Sequence, residues 1–176
     1  VIGRDFTFRI LQAITGMKQE LKSHLINLQE LEFIYEKNLF PELEYIFKHI
    51  LTQEVAYDSL LLKRRKEIHE KIGQAIEENY ADRLEEFYEM IAYHFSKSEN
   101  FEKAFQYLKL SGLKAVEKHS LIEALDQYKE AKYALDQVSV SKETKIEKLQ
   151  LILLMTLPLR LLGFPKDSLE ILKEGE

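Results

Sequence analysis

The chain has no cysteine and no tryptophan, and only three prolines and six glycines among 176 residues. Without thiols it can hold no disulfide, no thiolate metal site and no cysteine nucleophile. The glycines are scattered and no GxxxxGK[ST] run occurs, so the amide cradle, lysine and hydroxyl of a P-loop are missing. No signal peptide is visible. The most apolar run, Leu149 to Leu162, is broken by Gln150, Thr156, Pro158 and Arg160 and falls short of the ~20 residues that span a bilayer. It reads as a segment buried between helices, and no membrane partner is expected. The formal charge of -5 works against a phosphate backbone, which disfavours nucleic acid as a partner.

What is present is a globular composition, 45% apolar and 31% charged, sufficient for one or two domains. The chain begins with Val and ends inside a repeat, so it reads as a segment of a longer protein whose catalytic parts lie elsewhere. From Leu84 onward, Phe87, Tyr88, Ile91, Ala92 and Phe95 recur at helical spacing. A second run holds Phe101, Ala104, Phe105, Leu108, Gly112 and Ala115. A third holds Leu121, Ala124, Leu125, Tyr128, Ala131, Leu135 and Val138. Ser98 and Ser120 are the predicted N-caps.

Helices of this length with short breaks and no strand signal predict a stacked helical array. Gly112, Ala124, Tyr128 and Ala131 resemble the small, small, aromatic, small series of a tetratricopeptide repeat, and Ala92, Phe95, Ala104, Leu108 and Ser111 fit the same spacing one half-repeat earlier. The register is therefore open. Ser168 falls about ten residues beyond the place a ~34-residue period would put it, so the array should be irregular. A last helix, Pro165 to Lys173, is expected to expose Leu169 and Leu172, and self-association through that uncovered end is a further expectation.

The first sixty residues read differently. Helices are predicted at about Asp5 to Ile14 and Lys18 to Leu28, and paired strands at Phe33-Ile34-Tyr35 and Tyr45-Ile46-Phe47, with Pro41 in the connection. Then comes a run of unusual polar and aromatic density: Phe47-x-His49-x-Leu51-x-Gln53-Glu54-x-Ala56-Tyr57, followed by Leu60, Arg64, Arg65 and His69. This run resembles the regulatory region of large bacterial signalling proteins, mostly class III adenylate or guanylate cyclases. In those, an AAA-like ATPase of the STAND type precedes a winged helix and tetratricopeptide-like repeats. Val1-Ile2-Gly3-Arg4-Asp5-Phe6 resembles the entry to the winged-helix segment, with Asp5 where those proteins more often carry Glu. The resemblance covers residues 1–80, and a looser repeat likeness covers the rest.

The resemblance implies a mainly α fold, with a partial winged-helix module and small β-hairpin over residues 1–60, a connecting helix over 61–80 and a TPR-like solenoid over 81–176. It implies no cofactor in this segment, ATP being bound upstream in the parent protein, and a cytoplasmic setting. The paired metal-binding aspartates of a cyclase site are not found.

Five histidines, at 24, 49, 69, 94 and 119, show no HxxxH or HExxH spacing, so no metal site is assigned. His94 and His119 are read as helix-end residues. His49 is read as the structurally fixed one, bonded to backbone or to Glu54. Lys63-Arg64-Arg65-Lys66 is the strong basic cluster, open to three readings: a nucleotide phosphate on an upstream domain, a DNA backbone, or nearby acids such as Glu67 and Glu70. The first of these residue types to read DNA would be Lys18, Gln19, Lys22, Ser23 and Asn27 on the second helix. The nine tyrosines are read as core or groove residues.

Three functions follow. The leading one is a non-catalytic regulatory and protein-interaction segment that binds a protein partner or other domains of the same chain. The second is a DNA-binding winged-helix regulator with the repeats as sensor or dimeriser. The third is a small-molecule enzyme using His49 and Glu54.

Overall fold

Phe6 decides how the chain begins. In the computed structural model, which describes residues 1–17, 19–166, 168 and 173, Asp5–Thr7 is a strand (β1) and not the start of a helix. Phe6 stacks on Tyr45 at 5.8 Å and lies 5.7 Å from Phe47, which requires an extended backbone there. Thr7 then caps α1 (Phe8–Thr15) by accepting from the Ile10 amide, and Gly16 closes it in the left-handed conformation. Helix α2 spans Glu20–Glu30. Strands β2 (Ile34–Asn38) and β3 (Glu44–Phe47) pair antiparallel with Ile34 opposite Phe47, and β1 pairs on the other edge of β3. The sheet order is thus β1-β3-β2, one strand more than the predicted hairpin.

The chain divides into two compact units, Val1–Leu84 and Glu85–Glu176. In the first, Leu21 and Leu25 from α2 meet Ile34 and Tyr45 from the sheet, with Phe6, Phe8 and Phe47 packed against them. Helix α3 covers Ile50–Asp58 and α4 covers Leu62–Asn79. α4 packs on α1 and buries His69, Ile72, Gly73 and Ile76, an i, i+3, i+4, i+7 stripe. The helix read as a connector therefore contributes to the core of this unit.

Ala81–Phe87 is a 3-10 segment with Arg83 in a non-helical conformation, so the helix predicted from Leu84 begins only at Tyr88. The second unit then runs through α5 (Tyr88–Ser98), α6 (Phe101–Glu117), α7 (Leu121–Gln137) and α8 (Lys142–Leu161), with α6 packed on α5, α7 on α6 and α8 on α7. Glu99 at φ 65° and His119 at φ 61° end α5 and α6 in the left-handed region without glycine. Because Glu99 takes that position, Asn100 and not Ser98 caps α6, accepting from the Lys103 amide at 3.2 Å, while the Ser98 hydroxyl donates to the Phe95 carbonyl. Ser120 stands at the N-cap of α7 but its side chain makes no cap bond. The α8 N-terminus carries a full capping box from Ser141 and Thr144.

The apolar run in α8 is buried on one face only. Leu151, Ile152, Met155 and Leu159 face inward, whereas Leu149, Leu153, Leu157 and Leu161 are exposed. Leu169 and Leu172 lie outside the described residues. No helix among the described residues is long and apolar enough to cross a membrane.

Small residues set the spacing of the second unit. Ala92, Ala104, Ala124, Ala131 and Ala134 are each at most 2% exposed, and Gly112 sits against the Tyr128 ring. A Cβ at Gly112 would lie 2.3 Å from Tyr128 Cε1, so only glycine permits this approach. Tyr128 is fully buried and its hydroxyl has no hydrogen-bond partner among the described residues. Gly112→Ala should therefore destabilise the chain by about 1–3 kcal/mol, toward the upper end of overpacking costs. Tyr128→Leu added to it should recover part of the loss, while Tyr128→Phe alone should be neutral or stabilising, because it removes an unpaired buried hydroxyl. Urea denaturation of the four proteins checks all three expectations.

Candidate functional site

The signature run separates into residues that the fold brings together and residues that it does not. Phe47 ends β3, half-buried beside Phe6. His49 is the N-cap residue of α3, exposed, with no side-chain cap bond. Gln53 is half-buried on α3 and Glu54 is exposed. Arg64 points outward and bonds Glu67 at 3.0 Å. Tyr57, Arg65 and His69 converge. The Arg65 guanidinium lies 4.4 Å from the centre of the Tyr57 ring, and the Tyr57 hydroxyl is 3.3 Å from His69 Nε2.

Arg65 also turns back on the end of α3. It donates to the Leu60 and Asp58 carbonyls, both at 2.9 Å, and pairs with the Asp58 carboxylate at 3.2 Å. These carbonyls have no partner within a helix that stops at Asp58, and a guanidinium there also complements the negative end of the helix dipole. The three residues are a latch at the α3–α4 bend. The structurally fixed histidine of the run is thus His69, 1% exposed on the buried stripe of α4, and not His49, which stands exposed at the cap of α3.

A second polar cluster in this unit escaped the sequence reading altogether. Tyr80, 2% exposed at the end of α4, donates its hydroxyl to Glu42 at 2.5 Å and lies 3.3 Å from the Thr7 hydroxyl. Arg9 and Arg83 both pair with Glu42, at 3.3 and 3.4 Å, and their guanidiniums lie 5.6 and 5.1 Å from the Tyr80 ring centre. One carboxylate therefore gathers α1, the β2–β3 connection and the chain after α4. None of these residue types is unusual, and no local pattern links positions so far apart.

In the second unit the predicted packing residues Ala92, Ala104, Gly112, Ala124, Tyr128 and Ala131 are all buried in the seams between helices. Tyr107 and Tyr128, read as possible groove residues, are core: Tyr107 stacks on Phe95 at 6.0 Å. The tyrosines that face outward are Tyr93 on α5 and Tyr133 on α7, 52% and 64% exposed. Met90 stands beside Tyr93 one turn earlier, also exposed, and Lys97 lies 5.6 Å from the Tyr93 ring. Tyr133, Phe101 and Ala134 line a cleft of about 510 Å³ with Ser96, Lys129 and Glu130. Aromatic rings that keep a polar tip in water beside apolar neighbours suit protein contact.

Among the described residues no group of three or more His, Asp or Glu could hold a metal ion. His49 and Glu54, the pair that an enzymatic reading would use, are both exposed on the surface of α3 and its cap. Comparison of the chain with family models, with curated proteins and with solved structures gave no match.

Two expectations follow. Arg65→Lys keeps the charge but loses the planar fork and the stacking, and should cost about 1–2 kcal/mol locally. Amide hydrogen exchange should then rise through α3 and the bend while that of α7 stays unchanged. The second concerns alkali. Burial raises the pKa of Tyr45, Tyr80 and Tyr128, and acceptance by Glu42 raises Tyr80 further. The folded chain therefore holds these protons more tightly than the unfolded chain. Their contribution to stability is complete below about pH 10, the ordinary tyrosine value, and is lost as pH climbs toward the folded values. Tyrosinate absorbance and circular dichroism recorded together should show these three rings titrating together with unfolding.

Proposed function

We propose that the chain is a non-catalytic regulatory and protein-interaction segment of a multidomain bacterial signalling protein, of the kind in which a nucleotide cyclase is joined to a STAND ATPase. In this reading the first unit is a winged-helix module and the second is a set of tetratricopeptide-like repeats. The observation that carries it is the division of labour in the second unit. Glycine and alanine are spent in the seams, drawing the helices close, while Met90, Tyr93, Ile122 and Tyr133 stand exposed on α5 and α7. A rigid helical frame that shows aromatic and apolar side chains to solvent is built to be covered by another polypeptide.

The first unit supplies the coupling in this proposal. The latch at Tyr57, Arg65 and His69 ties α3 to α4, and the Glu42 cluster ties the end of α4 to α1 and the sheet connection. A partner's binding would reach neighbouring domains of the parent protein through α4. Allostery of that kind needs contacts that differ between two states, so both clusters are the places to look for such a difference.

The test is capture from a bacterial lysate with the 176-residue chain as bait, beside Met90→Ala/Tyr93→Ala. The expected result is a protein, or the ATPase segment of the parent, retained by wild type and lost in the variant. Retention of duplex DNA alone, released by salt and unaffected by the substitutions, would replace this reading with the DNA-binding one, in which exposed Lys22, Ser23 and Asn27 of α2 make the contact.

A further inference from the structure

Helix α4 starts against the ordinary rules for a helix. Its N-cap is Leu61, whose side chain can accept nothing, and its first turn holds no acid. Lys63, Arg64, Arg65 and Lys66 follow instead, placing cations at the positive end of the helix dipole, where they are destabilising. Arg65 is turned inward on Asp58, but Lys63 and Arg64 are exposed, and Leu61 and Leu62 beside them are 80% and 72% exposed. Glu67 offsets Arg64 at 3.0 Å, but an exposed i, i+3 pair of this kind contributes little, so the segment is a candidate for contact with something outside the unit. Carboxylates on an apolar surface would relieve both the charge and the exposure.

The second unit carries such a surface. At the N-terminal end of α6 three neighbouring depressions share lining residues and are taken together as a trough: the first and second share Glu102, Val138 and Ser139, the second and third share Glu99 and Phe101. Its apolar lining comes from Phe101, Phe105, Leu135 and Val138. The rim carries Glu99, Glu102, Glu130, Glu143 and Glu147 against the single lining cation Lys129. Lys109 satisfies Glu147 at 2.7 Å. Glu102 and Glu130 are exposed and leave the rim negative. The trough thus offers the negative charge that the start of α4 lacks and an apolar lining to match its exposed leucines.

We infer that the Leu61–Arg64 ridge of one copy of this chain docks into the Glu102–Glu130 trough of a second copy. The two surfaces are different, so the contact is head-to-tail and leaves a free ridge at one end and a free trough at the other. Assembly therefore continues into a ring or an open chain. Its electrostatic part is solvent-exposed and falls with salt. The inference shares the Tyr133 cleft with the partner reading and is told apart from it by Met90 and Tyr93, which do not line the trough, so that their substitution leaves self-association intact.

Sedimentation equilibrium on the whole chain tests it. At low salt the average mass of wild type should rise with concentration past that of a dimer, and high salt should return it to the monomer. Lys63→Glu/Arg64→Glu should be monomeric under the same conditions, and so should Glu102→Lys/Glu130→Lys. An equimolar mixture of the two should recover association, since each ridge then meets a trough of opposite charge. Circular dichroism matching wild type keeps folding out of the comparison, and the milder Lys63→Gln/Arg64→Gln should weaken association in part. A wild-type chain that is monomeric at every soluble concentration overturns the inference. So do reversal variants that associate like wild type, or a mixture that stays monomeric.

Discussion

The approach of α6 to α7 depends on one pair of residues, Gly112 and Tyr128. A hydrogen in place of a side chain lets the aromatic ring lie directly on the α6 backbone, and the ring in turn fills the space that a glycine leaves. Alanines 104, 124 and 131 extend the same seam to either side. The Tyr128 hydroxyl has no partner among the described residues at the bottom of this contact, a sign that the ring's shape and not its polarity is what the site uses. Once α6 and α7 are set at this distance, α5 and α8 pack on their flanks, and the aromatic side chains on the far sides of α5 and α7 have nowhere to go but outward.

The first unit is organised by polar contacts as much as by its core. Its sheet has only short strands, and α3 buries no residue fully. Arg65 and Glu42 act where apolar packing is thin: each draws several segments to a single charged group, and each charge is matched by more than one partner. Such clusters hold a geometry more sharply than they add stability, because desolvation offsets much of the attraction. α4 joins the two clusters, with His69 on its buried stripe at one and Tyr80 at its C-cap at the other.

The helices of the second unit were legible because a buried stripe repeats every three to four residues and small residues mark the seams. Their ends were less so. Glu99 and His119 adopt left-handed conformations that glycine would have advertised, which moved the cap of α6 from Ser98 to Asn100. The strand at Asp5–Thr7 was hidden for a different reason: three residues are too few to show an alternation, and Phe6 belongs equally well to a helical stripe read with Ile10.

By itself the sequence determined the mainly helical character, the small-residue seam of the second unit, and the pairing of Ile34-Tyr35 with Ile46-Phe47. All of these are written in residues close together in the chain, where periodicity and side-chain size speak directly. Only the tertiary structure decided that His69 and not His49 is the fixed histidine, that Tyr107 and Tyr128 are core while Tyr93 and Tyr133 face out, and that Glu42 joins Arg9, Tyr80 and Arg83. Those choices depend on which faces meet after the helices pack, and a contact between distant residues leaves no local pattern by which to foresee it.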